Sequence, residues 1–248
     1  MLDIHSHVLW GLDDGAATLA ESLAMLELAA ATGTTDIVAT PHANFRYQFQ
    51  AAMVARRTQE ITAAGGSCPR IHRGCDFHLS FDNVQDALAN SAKYTINGGR
   101  YLLVEFPNSA LIGMKTALGA LLQRGLIPIM THPERQPALR RIPAEFEEWI
   151  GMGCLVQITA QSLLGRFGTH AEESAWEMVR RGMAHVVASD AHDARDRTPR
   201  LDEAYAAVAA RAGQPAAQRL FVDNPRCVIA GEAISAELPK RTRRRLWR

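Results

Sequence analysis

The chain has 248 residues, 47% of them hydrophobic and 21% charged, with a formal net charge of +1. No bulk charge draws it to nucleic acid or to a membrane surface, and a chain of this length folds with about three quarters of its unfolded surface buried. Its four cysteines (Cys68, Cys75, Cys154, Cys227) form no C-x-x-C pair, which argues against a zinc knuckle and fits a reduced setting.

Short apolar runs alternate with longer helical patterns along the chain. The runs expected as strands are Leu2–Val8, Thr35–Thr40, Arg70–Phe77, Tyr101–Phe106, Ile127–Thr131, Leu155–Ile158 and His185–Ser189. Each is rich in Ile, Val or Leu and bounded by Gly, Pro or polar residues. Near-continuous apolar runs suit parallel strands covered on both faces. Between them, Thr18 and Glu21 form a capping-box pattern ahead of Leu19, Leu23, Leu26 and Ala30, and Gly33 supplies a stop. Arg46–Ala64, Ser109–Arg124, Ala144–Met152, His170–Arg181 and Leu201–Ala212 are further expected helices. The alternation predicts βαβ units, a parallel sheet and an α/β fold. No repeat or linker interrupts it, so residues 1–239 read as one domain, followed by a basic tail, KRTRRRLWR, at 240–248. The opening Met1-Leu2-Asp3 begins no signal peptide, and no apolar stretch approaches the roughly 20 residues that span a bilayer. The expected location is the cytoplasm.

The polar residues fall at one topological position. His5 and His7 close the first run, two apart and therefore on one face. His42 follows the second, Asp76 closes the third and Glu105 the fourth. His132 with Arg135 ends the fifth, and Asp190 with His192 ends the last. Only Leu155–Ile158 ends without His, Asp or Glu. One such residue after a strand is usually a cap or turn residue. A set of them at the same end of parallel strands converges on one face.

Crowded carboxylates repel one another and take up protons unless cations relieve them. Imidazole and carboxylate together, without thiolate, suit Mn²⁺, Fe²⁺ or Zn²⁺. The five histidines with Asp3, Asp14, Asp76, Glu105 and Asp190 exceed the needs of one ion, and paired metals serve in-line displacement at phosphorus. Arg135 and Arg197 supply guanidinium groups suited to phosphate oxygens. Asp14 stands far from any strand end. A nucleophilic cysteine is disfavoured, because no cysteine begins a C-x5-R pattern.

With these residues in place, the chain resembles the polymerase and histidinol phosphatase (PHP) superfamily. Within it, the chain is similar to the bacterial manganese-dependent tyrosine-protein phosphatases of capsule and exopolysaccharide operons. The matching segments are DIHSHVLWGLDDGA at Asp3–Ala16, ATPH at Ala39–His42, GCDF at Gly74–Phe77, VEF at Val104–Phe106, THPER at Thr131–Arg135 and SDAHDARDRTP at Ser189–Pro199. The similarity runs from Met1 to about Leu201.

The resemblance implies a distorted (β/α)7 TIM-like barrel of PHP type with two to three divalent ions, Mn²⁺ foremost and Fe²⁺, Zn²⁺ or Mg²⁺ as alternatives. It implies one ion on His5, His7, Asp76 and Asp190, a second on Asp76, Glu105 and His132, and a third on Asp14, His42 and His192. Arg135 and Arg197 would hold phosphate, and His42 or His192 would handle a proton. The implied substrate is the phosphotyrosine segment of a bacterial tyrosine autokinase that controls capsule or exopolysaccharide synthesis. The basic tail is read first as a solvated end, with approach to an acidic partner or the membrane as the alternative that its charge offers. Asp76 stands where the family usually has Glu, and Phe77-His78-Leu79-Ser80 departs from the branch. His78 could add a ligand or be an ordinary histidine, as His72, His170 and His185 are read to be. Three rivals use the same residues: a small-molecule phosphatase such as histidinol-phosphate phosphatase, a metal-dependent amidohydrolase, and a non-catalytic module that kept the fold.

Overall fold

The structure is a computed structural model, which describes residues 1–65, 69–107, 113–139 and 142–234. The basic tail at 240–248 and the first residues of the expected helix Ser109–Arg124 lie outside the described residues. The fold is mixed α/β, with every strand pairing parallel. One sheet holds β1 (Leu2–Ser6), β2 (Asp36–Ala39) and β4 (Arg70–Arg73) in that order. A second holds β3 (His42–Ala43), β5 (Asp76–His78), β6 (Tyr101–Glu105), β7 (Ile127–Thr131), β8 (Leu155–Thr159) and β9 (Val186–Ala188).

One expected strand is extended and another divides. Thr35–Thr40 becomes β2 and continues into β3 past Pro41, which has no N–H to give a ladder. Arg70–Phe77 becomes β4 and β5, separated by Gly74 and Cys75. The pairing keeps its register across both breaks. Asp36 lies opposite Arg70 and His42 opposite Asp76, while Gly74 N–H reaches Ala39 O at 2.9 Å and Asp76 N–H reaches Pro41 O at 3.2 Å. The kink starts the new sheet at His42 and Asp76, both candidate site residues.

The strands carry apolar residues on both faces, as parallel sheets under helices require. Ile4, Val38, Leu103, Ile129, Leu155 and Ala188 form one buried cluster. Their strand neighbours Ile37, Leu102, Val104, Met130, Val156 and Val187 belong to a larger one with the helices. Helix α1 (Leu19–Ala31) begins as its sequence dictates: Thr18 Oγ1 accepts Glu21 N–H at 3.2 Å and Glu21 Oε2 accepts Ala17 N–H at 2.9 Å. The helices α2 (Ala51–Ala63), α4 (Met114–Gln123), α5 (Pro143–Gly151), α7 (Thr169–Arg180) and α8 (Asp202–Ala212) lie within or close to the expected segments. Helix α3 (Phe81–Ala89) was not expected, although Ser80 caps it by accepting Asn83 N–H at 3.3 Å. Short α6 (Ala160–Leu163) and the closing α9 (Gln214–Gln218) and α10 (Asn224–Ala230) were also missed. Among the described residues, no helix is long and apolar enough to cross a membrane.

Candidate metal centre

Parallel strands deliver their last residues to one end, and there the candidate residues meet. His5 and His7, two apart across the end of β1, bring their Nε2 atoms to 3.3 Å. Asp190 Oδ1 lies 3.4 Å from His5 Nε2 and 3.6 Å from His7 Nε2. Asp76 Oδ2 lies 3.0 Å from His42 Nδ1 and 3.7 Å from His5 Nε2. Glu105 Oε2 is 4.0 Å from the same His42 nitrogen. Asp14 does reach the centre, with Oδ1 3.3 Å from His42 Nε2 and 3.6 Å from His192 Nε2.

Among the described residues, three sets have donor atoms within 4.8 Å of one another: His7, Asp14, His42 and His192; His5, His7 and Asp190; and His42, Asp76 and Glu105. The first is the expected Asp14 set with His7 added. The second is the expected His5 set without Asp76. In the third, His42 stands where His132 was expected, because the His42 ring lies against the Asp76 carboxylate. His132 is buried, with its ring centroid 5.8 Å from that of His5. His132 and Asp190 both have positive φ, 36° and 53°. Non-glycine residues rarely adopt that conformation, and it is held only where the surroundings determine it.

The arginines converge on one atom. Arg135 Nη1 and Arg197 Nη2 both donate to Asp190 Oδ2, the latter at 2.6 Å. The Arg135 guanidinium also lies over the Phe167 ring at 4.2 Å. The proposed phosphate-binding groups thus stand at the carboxylate shared by His5 and His7.

The electrostatics test whether cations fit. Both Asp76 oxygens are buried without a hydrogen-bond donor of good geometry, which is costly for a carboxylate unless positive charge is at hand. Burial pushes the Asp76 carboxyl up, but His5 and His42 outweigh it and hold it well below the usual range. Burial likewise lowers the histidines, yet Asp13 carries His7 up to about 9, and Asp14 with Asp76 carries His42 up to about 11. Burial dominates at His132 and His192, pushed down to about 4 and about 3. In the protein alone, the carboxylates draw protons onto His7 and His42. Divalent ions would replace those protons, and the imidazole–carboxylate donors fit them without thiolate.

Residues not singled out in the sequence hold the candidate ligands in place. Asp13 Oδ2 lies 2.6 Å from His7 Nδ1 and accepts His42 N–H at 3.0 Å. Its neighbour Gly15 must lack a side chain, since a Cβ there would lie 2.2 Å from His7 O. The paired aspartates before a glycine were the available signal. Gln157 Oε1 lies 2.9 Å from His5 Nδ1. It comes from β8, whose run ended without a candidate ligand, and the signal was a polar residue inside an apolar strand. Glu134 accepts Thr159 N–H at 2.9 Å and Ser162 Oγ–H at 2.7 Å, fixing the segment that carries His132 and Arg135. Such partners orient first ligands and raise their basicity.

Asp3, counted among the candidates, stays outside the cluster. It accepts Ser189 N–H at 3.0 Å and Ser189 Oγ–H at 2.5 Å, joining β1 to the end of β9. His78 Nδ1 lies 3.7 Å from Glu105 Oε2 at the edge of the centre. His72 pairs with Asp36 at 2.9 Å, His185 accepts Val156 N–H at 3.1 Å, and His170 is exposed, all away from the ligand sets.

The family model described as capsular polysaccharide synthesis, CpsB/CapC, matches residues 1–230. CapC of Staphylococcus aureus is 33% identical over 96% of this chain and 95% of that protein. The tyrosine-protein phosphatase CpsB of Streptococcus pneumoniae is 31% identical over 94% of this chain and 100% of that protein. Crystal structures of YwqE from Bacillus subtilis and CpsB from Streptococcus pneumoniae are described as unique metal-dependent tyrosine phosphatases. The matched chain superposes with a TM-score of 0.90 at 28% identity, covering 98% of this chain and 100% of that one.

Proposed function

The chain belongs to the CpsB/CapC family of capsular polysaccharide synthesis, and on that premise we propose that it is a metal-dependent tyrosine-protein phosphatase. The observation that carries this reading is the convergence of three imidazole–carboxylate sets and two arginines at one end of the parallel strands. We read the residues His5, His7, Asp14, His42, Asp76, Glu105, His132, Asp190 and His192 as the ligands of two to three divalent ions, with Mn²⁺ foremost.

The fold supports a distorted (β/α)7 barrel. Counting β2 with β3 and β4 with β5, seven parallel passes follow one another. The bridge from Ser6 to Ala191, with His7 N–H on Ala191 O at 2.8 Å, brings the last pass to the first. Residues 1–239 then form one domain, a reading supported by a core cluster that runs from Val8 to Phe221.

Divalent ions in such a centre lower the pKa of water and neutralise phosphoryl oxygens. The chain does the rest. Arg135 and Arg197 bind the phosphoryl oxygens as planar forks, and Asp190 keeps both guanidiniums in place until substrate arrives. His5 and His7 are themselves buried from bulk water. A tyrosine phenolate leaves readily, its conjugate acid having a pKa of about 10, so the step needs no strong general acid from His42 or His192. The natural substrate would be the phosphotyrosine segment of a tyrosine autokinase in capsule or exopolysaccharide synthesis, met in the cytoplasm.

The test is turnover of a phosphotyrosyl peptide with Mn²⁺, with a strong chelator, and against histidinol phosphate. Hydrolysis of the peptide that the chelator stops supports the reading. Preference for histidinol phosphate makes the chain a small-molecule phosphatase, and no hydrolysis of either substrate makes it a non-catalytic member of the fold.

A further inference from the structure

Phe45 and Phe81 are 98% and 78% exposed, and among the described residues they are the large hydrophobic side chains that stand open to solvent. A single exposed aromatic needs no explanation. These two share a position. Phe45 follows the C-terminal end of β3 and Phe81 that of β5, adjacent strands of one sheet. Those strands carry His42 and Asp76, which form one ligand set with Glu105 of the next strand, β6.

The segments bearing them are tied to the site and to each other. Asn83 Nδ2 donates to Ala43 O at 2.8 Å and to His78 O at 2.9 Å, joining the two strand ends. Leu79 N–H reaches Glu105 O at 2.9 Å. Phe45 sits in a closed turn in which Asn44 Oδ1 accepts both Arg46 N–H and Tyr47 N–H at 2.9 Å. The Tyr47 ring stacks on His42, with centroids 6.0 Å apart and planes 14° from parallel. The fold thus carries two uncovered aromatic residues on hydrogen-bonded segments that leave the strand ends bearing one ligand set.

We propose that Phe45 and Phe81 form an aromatic rim that seats the phosphorylated tyrosine and the apolar side chains flanking it, making these residues determinants of substrate class. This rests on the phosphotyrosine reading. With the phosphoryl group held by the arginines, the phenyl ring and its peptide must run outward across the edge of the centre. Aromatic pairs attract beyond their buried area, and an alkyl phosphate has no ring to offer. Continuity with the candidate centre argues for this occupant.

The experiment compares wild type with Phe45→Ser, Phe81→Ser and the double variant, each loaded with Mn²⁺. Its readouts are steady-state kinetics on a phosphotyrosyl peptide, the Ki of inorganic phosphate and the bound metal per chain. The expected result is a rise of about tenfold in the peptide KM of the double variant, with phosphate Ki and metal content unchanged. Phe45→Trp should restore the KM lost in Phe45→Ser. A double variant with the wild-type peptide KM overturns the rim alone, provided that wild type hydrolyses the peptide. A phosphate Ki that rises in step with the peptide KM also overturns it, since the centre itself is then disturbed. A wild type that leaves phosphotyrosine untouched sinks the rim together with the phosphatase reading.

Discussion

His7 Nδ1 lies 2.6 Å from Asp13 Oδ2, and the same oxygen accepts the backbone N–H of His42 at 3.0 Å. One carboxylate therefore orients the ring of one proposed ligand and fixes the backbone of another. It also keeps the proton of His7 on Nδ1 and leaves Nε2 for the centre. Asp13→Asn keeps the shape and removes the charge. Losses of ten- to a hundredfold in metal affinity are typical when such a partner is removed. Calorimetric titration with Mn²⁺ should show a loss in that range, with the circular dichroism spectrum unchanged. Wild-type affinity in the variant would show that the pair does not hold the ligand.

The arginines invite a second measurement. Arg135→Ala and Arg197→Ala should each lower kcat on an aryl phosphate by about a hundredfold or more, with metal content retained. Both side chains share Asp190 Oδ2, so the double variant should lose less than the product of the single losses. Purely multiplicative losses would mean that the two groups act separately.

Metal binding should displace protons well above neutral pH. The carboxylates of Asp13, Asp14 and Asp76 hold the pKa of His7 at about 9 and that of His42 at about 11. A ligating imidazole must be neutral, so each proton lost favours the metal. Apparent Mn²⁺ affinity should then rise with pH from neutrality, steeply to about pH 9 and more gently to about pH 11. Titration in two buffers of different ionisation enthalpy counts the protons released. Zero release at pH 8 would contradict the assignment, as would turnover that survives a strong chelator.

His185 offers a pH effect away from the centre. Burial pushes its pKa down to about 4, and its Nδ1 accepts Val156 N–H at 3.1 Å. The folded pKa lies below the unfolded one, so between about pH 6.5 and pH 4 the unfolded chain binds more protons. Stability from the neutral ring is complete above that window and is lost as pH falls through it. His185→Gln removes the titration and keeps an acceptor. The urea stability difference between wild type and variant should narrow by roughly 2–3 kcal/mol across the window. A constant difference would show that the buried ring does not titrate there.

The sequence yielded most of this centre for a simple reason. Period-two placement of His5 and His7 and the polar residues at successive strand ends are local patterns, and parallel strands carry such ends to one place. The Thr18–Glu21 cap is local too and appears as read. The extension past Pro41 and the division at Gly74-Cys75 were less legible, since His42–Ala43 and Asp76–His78 are too short to show a period of two. Phe45 and Phe81 carried no signal, because exposure depends on what does not pack over a residue.

What the chain itself determined was the order of strands and helices, the identity of nearly every proposed ligand, and the chemistry those donors suit. The tertiary structure decided which proposed ligands stand together. It set His42 beside Asp76 and Glu105, brought Asp14 in from a loop, and supplied Asp13 and Gln157 as holders. The reason is distance: Gln157 lies 152 residues from His5 along the chain. No local periodicity encodes a contact of that span. It is fixed when the strands pack and each buried polar atom must find its partner.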